Sequence, residues 1–197
     1  LDNRYNDKIV DLAILFSESN LNKIRFEIEI EWLIFLCSIG GKNFPKLSKN
    51  TIKQLLALKT SFDEKSAKRI KTIESKTNHD VKAVEYYIRE ELKKSSNLKK
   101  YEHLVHFALT SEDINSLAYA ILLKDAQIIY ITKLDLIIKE INKRARAWST
   151  IPMLARTHGQ AASPSTLGKE MKVFVQRLKR QGDQLRNMKP LAKFGGA

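Results

Sequence analysis

Residues 112–148 contain neither proline nor glycine, and this constrains the chain more than any other feature. Apolar side chains recur through the stretch, at Ile114, Leu117, Ile121, Ile128, Ile131, Leu134, Ile138 and Ile141. Nothing in it breaks helical geometry, and the spacing is helical. One helix is expected, roughly 50 Å long at 1.5 Å per residue. Such a helix cannot bury its own apolar stripe and needs long neighbours. Pro152 marks a break after it. A second long helix is expected from near Pro164, with Ser163 as its cap and the proline at the first helical position, where a missing N–H costs nothing. Leu167, Met171, Phe174, Leu178, Leu185 and Met188 keep an alternating four-three spacing along it, with Gln181 the one polar member. That is a seam of the bundle type.

The first hundred residues differ in scale. A short helix is expected up to about Phe16, then a longer one over 21–39 with Ile24, Ile28, Trp32, Phe35 and Leu36 at helical spacing. Gly40 and Gly41 end it. Short helices follow over 49–60 and 63–72, the second opened by a Ser61–Glu64 capping-box pattern. After the polar stretch 73–80 come helices over 81–93, with Val84, Ile88 and Leu92 on one face, and over 98–107. The expected architecture is all-α, with a small helical N-terminal domain (1–108) followed by the start of a long-helix bundle (109–197). Seven glycines and four prolines in 197 residues are too few for a β-sandwich.

An apolar fraction of 43% can build a core, so the chain is not intrinsically disordered. No apolar run approaches the ~20 residues that cross a bilayer. The lone cysteine, Cys37, lies beside the apolar run Trp32 to Leu36 and reads as a core residue of a reducing, cytoplasmic compartment. Thirty-five basic against 22 acidic residues give a net charge of +13. Three readings fit: lysine bias on a solvated surface, a field that captures anionic substrates, or a nucleic-acid footprint. The densest basic groups, Lys93-Lys94 and Lys99-Lys100, are short, and no nucleic-acid recognition motif accompanies them. The chain lacks an initial Met and ends on Phe194-Gly195-Gly196-Ala197, a loop-like stretch. Both ends are expected to continue in a longer protein.

Four polar segments carry chemically capable side chains: Arg4-Tyr5, Asn78-His79-Asp80, Thr110 to Asp113, and Arg156 to Gln160. Thr110 and Asp113 have capping-box spacing, which helix stability alone would explain. A helix N-terminus bearing two hydroxyls, Thr110 and Ser111, also suits a carboxylate or phosphate. His79, flanked by Asn78 and Asp80, is either a surface loop residue or part of a nucleotide pocket. His103 and His106 are three apart, yet no cysteine or carboxylate cluster completes a tetrahedral metal site, and none is expected. His158 lies in a glycine-containing loop between the two long helices, with Arg156 as a fork for anions. Imidazole is the side chain best suited to move a proton near neutral pH.

Arg156 to Glu170, RTHGQAASPSTLGKE, closely resembles the RTHGQPATPSTxGKE stretch of adenylosuccinate lyases, nearest to their bacterial branch. Glu74 to Glu85 (ESKTNHDVKAVE) and His106 to Asn115 (HFALTSEDIN) resemble two further motifs of that family, and Asp2 to Tyr5 is similar to its opening DGRY. The motifs come in family order and span nearly the whole chain. Fumarases and argininosuccinate lyases carry Thr-His-Leu-Gln where this chain has Thr157-His158-Gly159-Gln160. Asn3, Ala161 and Ser163 replace a family glycine, proline and threonine, and none of these removes a proton-transferring group.

The resemblance implies a fumarase/aspartase-like fold and a cofactor-independent β-elimination. Fumarate would leave adenylosuccinate, giving AMP, or the succinylated aminoimidazole carboxamide ribotide. His158 would be the general acid, with Thr157 helping to place it. Thr110 and Ser111 would hold a succinyl carboxylate. Arg4 and Tyr5 would bind the nucleotide side, and Asn78, His79 and Asp80 would line its pocket, His79 supporting the acid. The general base would be a serine on a mobile loop of GSSxMPxKxN type beyond Ala197. A homotetramer would build each site from three subunits. Three competitors stay open at this stage: another fumarate-releasing lyase, a basic helical nucleic-acid-binding protein, and a helical scaffold without activity.

Overall fold

The computed structural model describes residues 3–196. Asp2 of the opening motif and Ala197 lie outside them. A 3-10 segment, Asn3–Lys8, leads to α1 (Val10–Leu15), α2 (Glu18–Ile39), α3 (Lys49–Thr60), α4 (Glu64–Thr77), α5 (Asp80–Lys93) and the single turn α6 (Ser96–Lys99). After a second 3-10 turn, Glu102–Leu104, come α7 (Ser111–Ala147), a hairpin of β1 (Pro152–Thr157) and β2 (Gln160–Thr166), and α8 (Leu167–Asn187). Among the described residues no helix is long and apolar enough to cross a membrane. The chain divides into two compact units. One holds the residues up to Leu123 and the stretch from Pro190, and the other is Lys124–Lys189. The division falls inside α7, so its first three turns group with the N-terminal helices.

In the first unit α2 and α5 carry the core. Phe26, Ile30, Leu33 and Cys37 of α2 meet Val84, Tyr87, Ile88 and Leu92 of α5, closed by Leu55, Ile70 and Leu104. Each fully buried aliphatic side chain is worth about 1.5–3 kcal/mol relative to exposure. The stripe expected on α2 is only half right. Ile24 and Leu36 are buried, but Phe35 stays half exposed and Trp32 lies at the margin. Its stretch Trp32 to Cys37 is apolar on every side, so periodicity alone does not choose the inner face there. The box that opens α4 uses Asp63 and Ser66 rather than Ser61 and Glu64: the Asp63 carboxylate accepts from Ser66 N–H at 2.9 Å, and Asp63 N–H donates to the Ser66 hydroxyl at 3.3 Å. Residues 98–107 form no continuous helix, so His103 and His106 do not share a helical face.

In the second unit α7 and α8 run antiparallel, with Lys172 Nζ donating to Asn142 Oδ1 at 2.6 Å and Arg186 paired with Asp135. The buried residues of α8 are Gly168, Val175 and Gly182, seven apart. The seam read from the sequence flanks this row and is only partly covered, Phe174 being half exposed. α8 also starts later than expected. Ser163 and Pro164 lie in β2, Leu154 pairing with Pro164, and Thr166 is the cap, its hydroxyl accepting from Lys169 N–H at 3.2 Å. Leu167 N–H then donates to Ile151 O at 3.0 Å and Gly168 N–H to Trp148 O at 2.9 Å. These bonds tie the base of the hairpin to the end of α7.

Candidate active site

The segment Thr77 to Asp80 is a tight corner between two helices. Asn78 ends α4 with a left-handed backbone (φ 50°), which asparagine tolerates better than most residues. His79 then caps α5: its Nδ1 accepts the Lys82 N–H at 3.2 Å. Accepting there leaves the ring proton on Nε2. That Nε2 lies 3.3 Å from the Ser111 hydroxyl at the first turn of α7, so the imidazole donates to Ser111 Oγ. The N-termini of α5 and α7 therefore meet side by side. Each presents the positive end of a helix dipole, and together they suit a carboxylate or phosphate.

Asp80 is gripped from below. Its Oδ2 accepts from Arg25 Nη2 at 2.6 Å, and its Oδ1 is 3.6 Å from His79 Nδ1. Burial pushes the Asp80 pKa up, but the Val81 N–H and the charge on Arg25 outweigh it and hold the carboxyl below its ordinary value. Arg25 is 4% exposed, and it also donates from Nε to Asn115 Oδ1 (2.9 Å) and from Nη1 to Asn22 Oδ1 (3.1 Å).

Thr110 does not use its hydroxyl to cap α7. Its N–H and Oγ1 both donate to Asp113 Oδ2, at 2.8 and 2.9 Å. The Asp113 carboxylate, almost fully buried, also accepts the N–H groups of Gly195 (2.9 Å) and Gly196 (3.2 Å), and Lys193 Nζ lies 3.3 Å away. Burial alone would raise its pKa. The bonds from Thr110, Gly195 and Gly196 reverse that and hold it well below the carboxylate range. Asp113 thus fastens the 193–196 stretch over the start of α7. Ser116 adds two bonds to the Lys193 backbone at 3.2 Å, and the Phe194 ring lies 5.2 Å from that of Trp32.

The approach to Thr110 is held in an uncommon shape. His106 and Ala108 have φ of 62° and 59°. Buried Glu29 accepts from the His106 backbone at 3.1 Å and meets its Nδ1 at 2.5 Å. Trp32 Nε1 donates to Phe107 O at 2.8 Å. His106 is therefore committed to Glu29, and among the described residues no cluster of three or more His, Cys, Asp or Glu could hold a metal.

His158 sits in the second unit, not in an irregular loop but at the tip of a two-stranded hairpin. Thr157 pairs with Gln160, and His158 and Gly159 are the two turn residues, with φ of 52° and 77°. Positive φ at both centres is the type I′ geometry, whose twist matches the strands, and glycine fits its second position without strain. Arg156, Thr157 and His158 are all exposed. Arg4 and Tyr5 lie in the first 3-10 segment, both exposed, with the guanidinium 5.4 Å from the ring centre. Of the residues proposed from sequence, the structure brings His79, Asp80 and Ser111 together, beside Thr110 and Asn78. Arg25, Glu29 and Asp113 were not read as site residues. The available signal for Arg25 and Glu29 was their place on the helical row of Phe26, Ile30 and Leu33, in a helix that also carries Lys23, Glu27 and Glu31.

The fold is one of short N-terminal helices followed by long antiparallel ones. Three solved structures share it. A fumarate lyase from Mesorhizobium sp. BNC1 superposes with a TM-score of 0.77 at 19% identity, covering 100% of this chain and 44% of that one. A β-carboxy-cis,cis-muconate cycloisomerase from Acinetobacter calcoaceticus gives 0.73 at 19% identity, over 95% and 43%. A 3-carboxy-cis,cis-muconate lactonizing enzyme from Pseudomonas putida gives 0.73 at 19%, over 100% and 43%. A family model described as lyase matches residues 3–197, and the chain belongs to that family. Among curated relatives, the adenylosuccinate lyase of Haemophilus influenzae is 45% identical over the whole chain, and those of Escherichia coli K12 and Buchnera aphidicola (Baizongia pistaciae) are 43% and 41% identical. The chain spans 43–44% of the length of these relatives.

Proposed function

We propose that the full-length protein is an adenylosuccinate lyase, releasing fumarate from adenylosuccinate and from the succinylated aminoimidazole carboxamide ribotide. Identity of 41–45% to adenylosuccinate lyases, sustained over the whole chain, carries the reading. The juxtaposition of His79 Nε2 and Ser111 Oγ at two helix N-termini supports an anion-binding role for this part of the site.

In the proposed reaction a serine outside this chain removes a proton from the succinyl carbon next to the bond that breaks. The electron pair passes through a carbanion-like state whose charge spreads onto a carboxylate. The C–N bond then cleaves, fumarate forms, and His158 gives its proton to the departing nitrogen. Ser111 holds a succinyl carboxylate, joined by Thr110 once its hydroxyl turns from Asp113, where fixed dipoles stabilise charge as it develops. Asn78, His79 and Asp80 line the nucleotide pocket, with Arg4 and Tyr5 on its phosphate side, and Thr157 orients His158. The type I′ turn supports that last role, because it places the imidazole next to Thr157 at the tip of the hairpin. No cofactor takes part.

The proposal includes a homotetramer with shared sites, in the cytoplasm. Ile128 (58% exposed), Leu136 (63%) and Ile137 (53%) on α7 support an apolar surface meant for neighbouring helices. The test is fumarate release by the full-length protein, followed by absorbance, with adenylosuccinate and argininosuccinate offered separately. Turnover of adenylosuccinate alone is expected. Release only from argininosuccinate overturns the assignment.

A further inference from the structure

We propose that Arg25 is a positioning residue of this site, setting the N-terminus of α5 against that of α7 so that His79 faces Ser111. The assignment rests on the lyase reading above. It stands on where the three bonds of the guanidinium go. Nη1 reaches Asn22 on its own helix, one turn back. Nη2 reaches Asp80, the residue after His79. Nε reaches Asn115, one turn beyond Ser111. One buried cation on α2 therefore holds the residue after His79 and the residue one helical turn beyond Ser111.

The chemistry suits arginine and no other side chain. A guanidinium is a rigid planar fork whose donors diverge, so it fixes the separation and angle of two acceptors at once. Lysine offers a single charged point on a flexible stem and can satisfy Asp80 without fixing Asn115. A buried charge persists only when its donors are satisfied, and three of them are. Arg25 also governs how Asp80 acts on the imidazole. With its Oδ2 held at 2.6 Å by Arg25, the carboxylate is kept off the ring: its Oδ1 stays 3.6 Å from His79 Nδ1. Nδ1 is left to accept the Lys82 N–H, and that bond keeps the proton on Nε2, facing Ser111. Released from Arg25, Asp80 can turn to Nδ1 and draw the proton there. The groups facing His79 are thus Asp80 and Lys82 on α5, Ser111 on α7 and, through Asp80, Arg25 on α2.

The test uses Arg25→Gln and Arg25→Lys in the full-length protein, with folding checked by circular dichroism. The first readout needs no turnover: long-range ¹H–¹⁵N spectra of histidine-labelled protein, with the His79 signals identified by their loss in His79→Gln. The wild-type ring is expected as the Nε2–H tautomer, and Arg25→Gln as a mixture with Nδ1–H. An unchanged tautomer in folded Arg25→Gln overturns the proposal, whether or not the lyase reading holds. The second readout is kinetic. Arg25→Gln is expected to lower kcat for adenylosuccinate roughly 100-fold, the scale of a displacement of about 1 Å, with a smaller change in KM. Arg25→Lys should fall between it and wild type. Wild-type kcat in folded Arg25→Gln overturns the proposal, whereas wild-type protein that releases no fumarate from adenylosuccinate overturns the lyase reading instead. Should Arg25→Gln fail to fold, Arg25→Lys carries the test: it leaves Asn115 unheld, so kcat is expected to fall about tenfold, and wild-type kcat in folded Arg25→Lys overturns the proposal.

Discussion

His106 keeps a left-handed backbone because Glu29 holds both its N–H and its ring. Such a conformation costs of order 1–3 kcal/mol in a non-glycine residue and needs its surroundings to impose it. The hydrogen bond to Glu29 raises the His106 pKa above 6.5, more than burial lowers it. A histidine raised on folding contributes stability that is fully present below its unfolded pKa and lost as the pH climbs through the folded value. Urea unfolding of wild type and His106→Gln should therefore differ most below about pH 6.5 and converge at higher pH. A gap that widens with pH would contradict the pairing. Charged residues of this kind were the least legible part of the sequence. Arg25 and Glu29 stand among Lys23, Glu27 and Glu31 on the same helix and look like ordinary surface charges, and partners of theirs are 55 and 77 positions away. Nothing local announces a partner at that distance. His79 and Ser111, which the structure brings together, were legible because each sits in a short polar segment that breaks the helical pattern.

The glycines of α8 decide how closely two elements approach. A Cβ on Gly168 would lie 2.3 Å from Ala145 O and 2.7 Å from the Ser149 backbone, neither of which can move without shifting the end of α7. On Gly182 it would meet Leu134 Cδ2 at 3.1 Å, the tip of a flexible side chain. Alanine is favoured over glycine inside a helix by about 1 kcal/mol. Gly182→Ala should therefore be close to neutral, while Gly168→Ala should destabilise by more than about 2 kcal/mol, the range of overpacking. Chemical denaturation of both variants checks this, and equal effects would contradict the packing described. Helix bounds were readable to within a few residues for α2, α3, α5 and α7, where pattern and caps agree. The hairpin was not. Its strands pair only with each other, are almost wholly exposed, and carry a proline in β2, so no alternation marks them. The row Gly168, Val175, Gly182 was missed because its glycines carry no apolar signal.

At the scale of the whole molecule, each unit carries residues to which the proposal gives a role. The first carries the His79–Ser111 contact and the charged residues that support it. The second carries His158 on its hairpin tip. The net charge of +13 suits capture of a substrate bearing several carboxylate and phosphate charges. The central claim is that His158 is the acid of a fumarate-releasing lyase. Its most direct test is kcat for adenylosuccinate cleavage by the full-length protein and its His158→Gln variant. Wild type should release fumarate, and the variant, folded as wild type, should lose about 10²–10⁴-fold in kcat, the range for one general acid–base group. Undiminished turnover in His158→Gln would contradict the account.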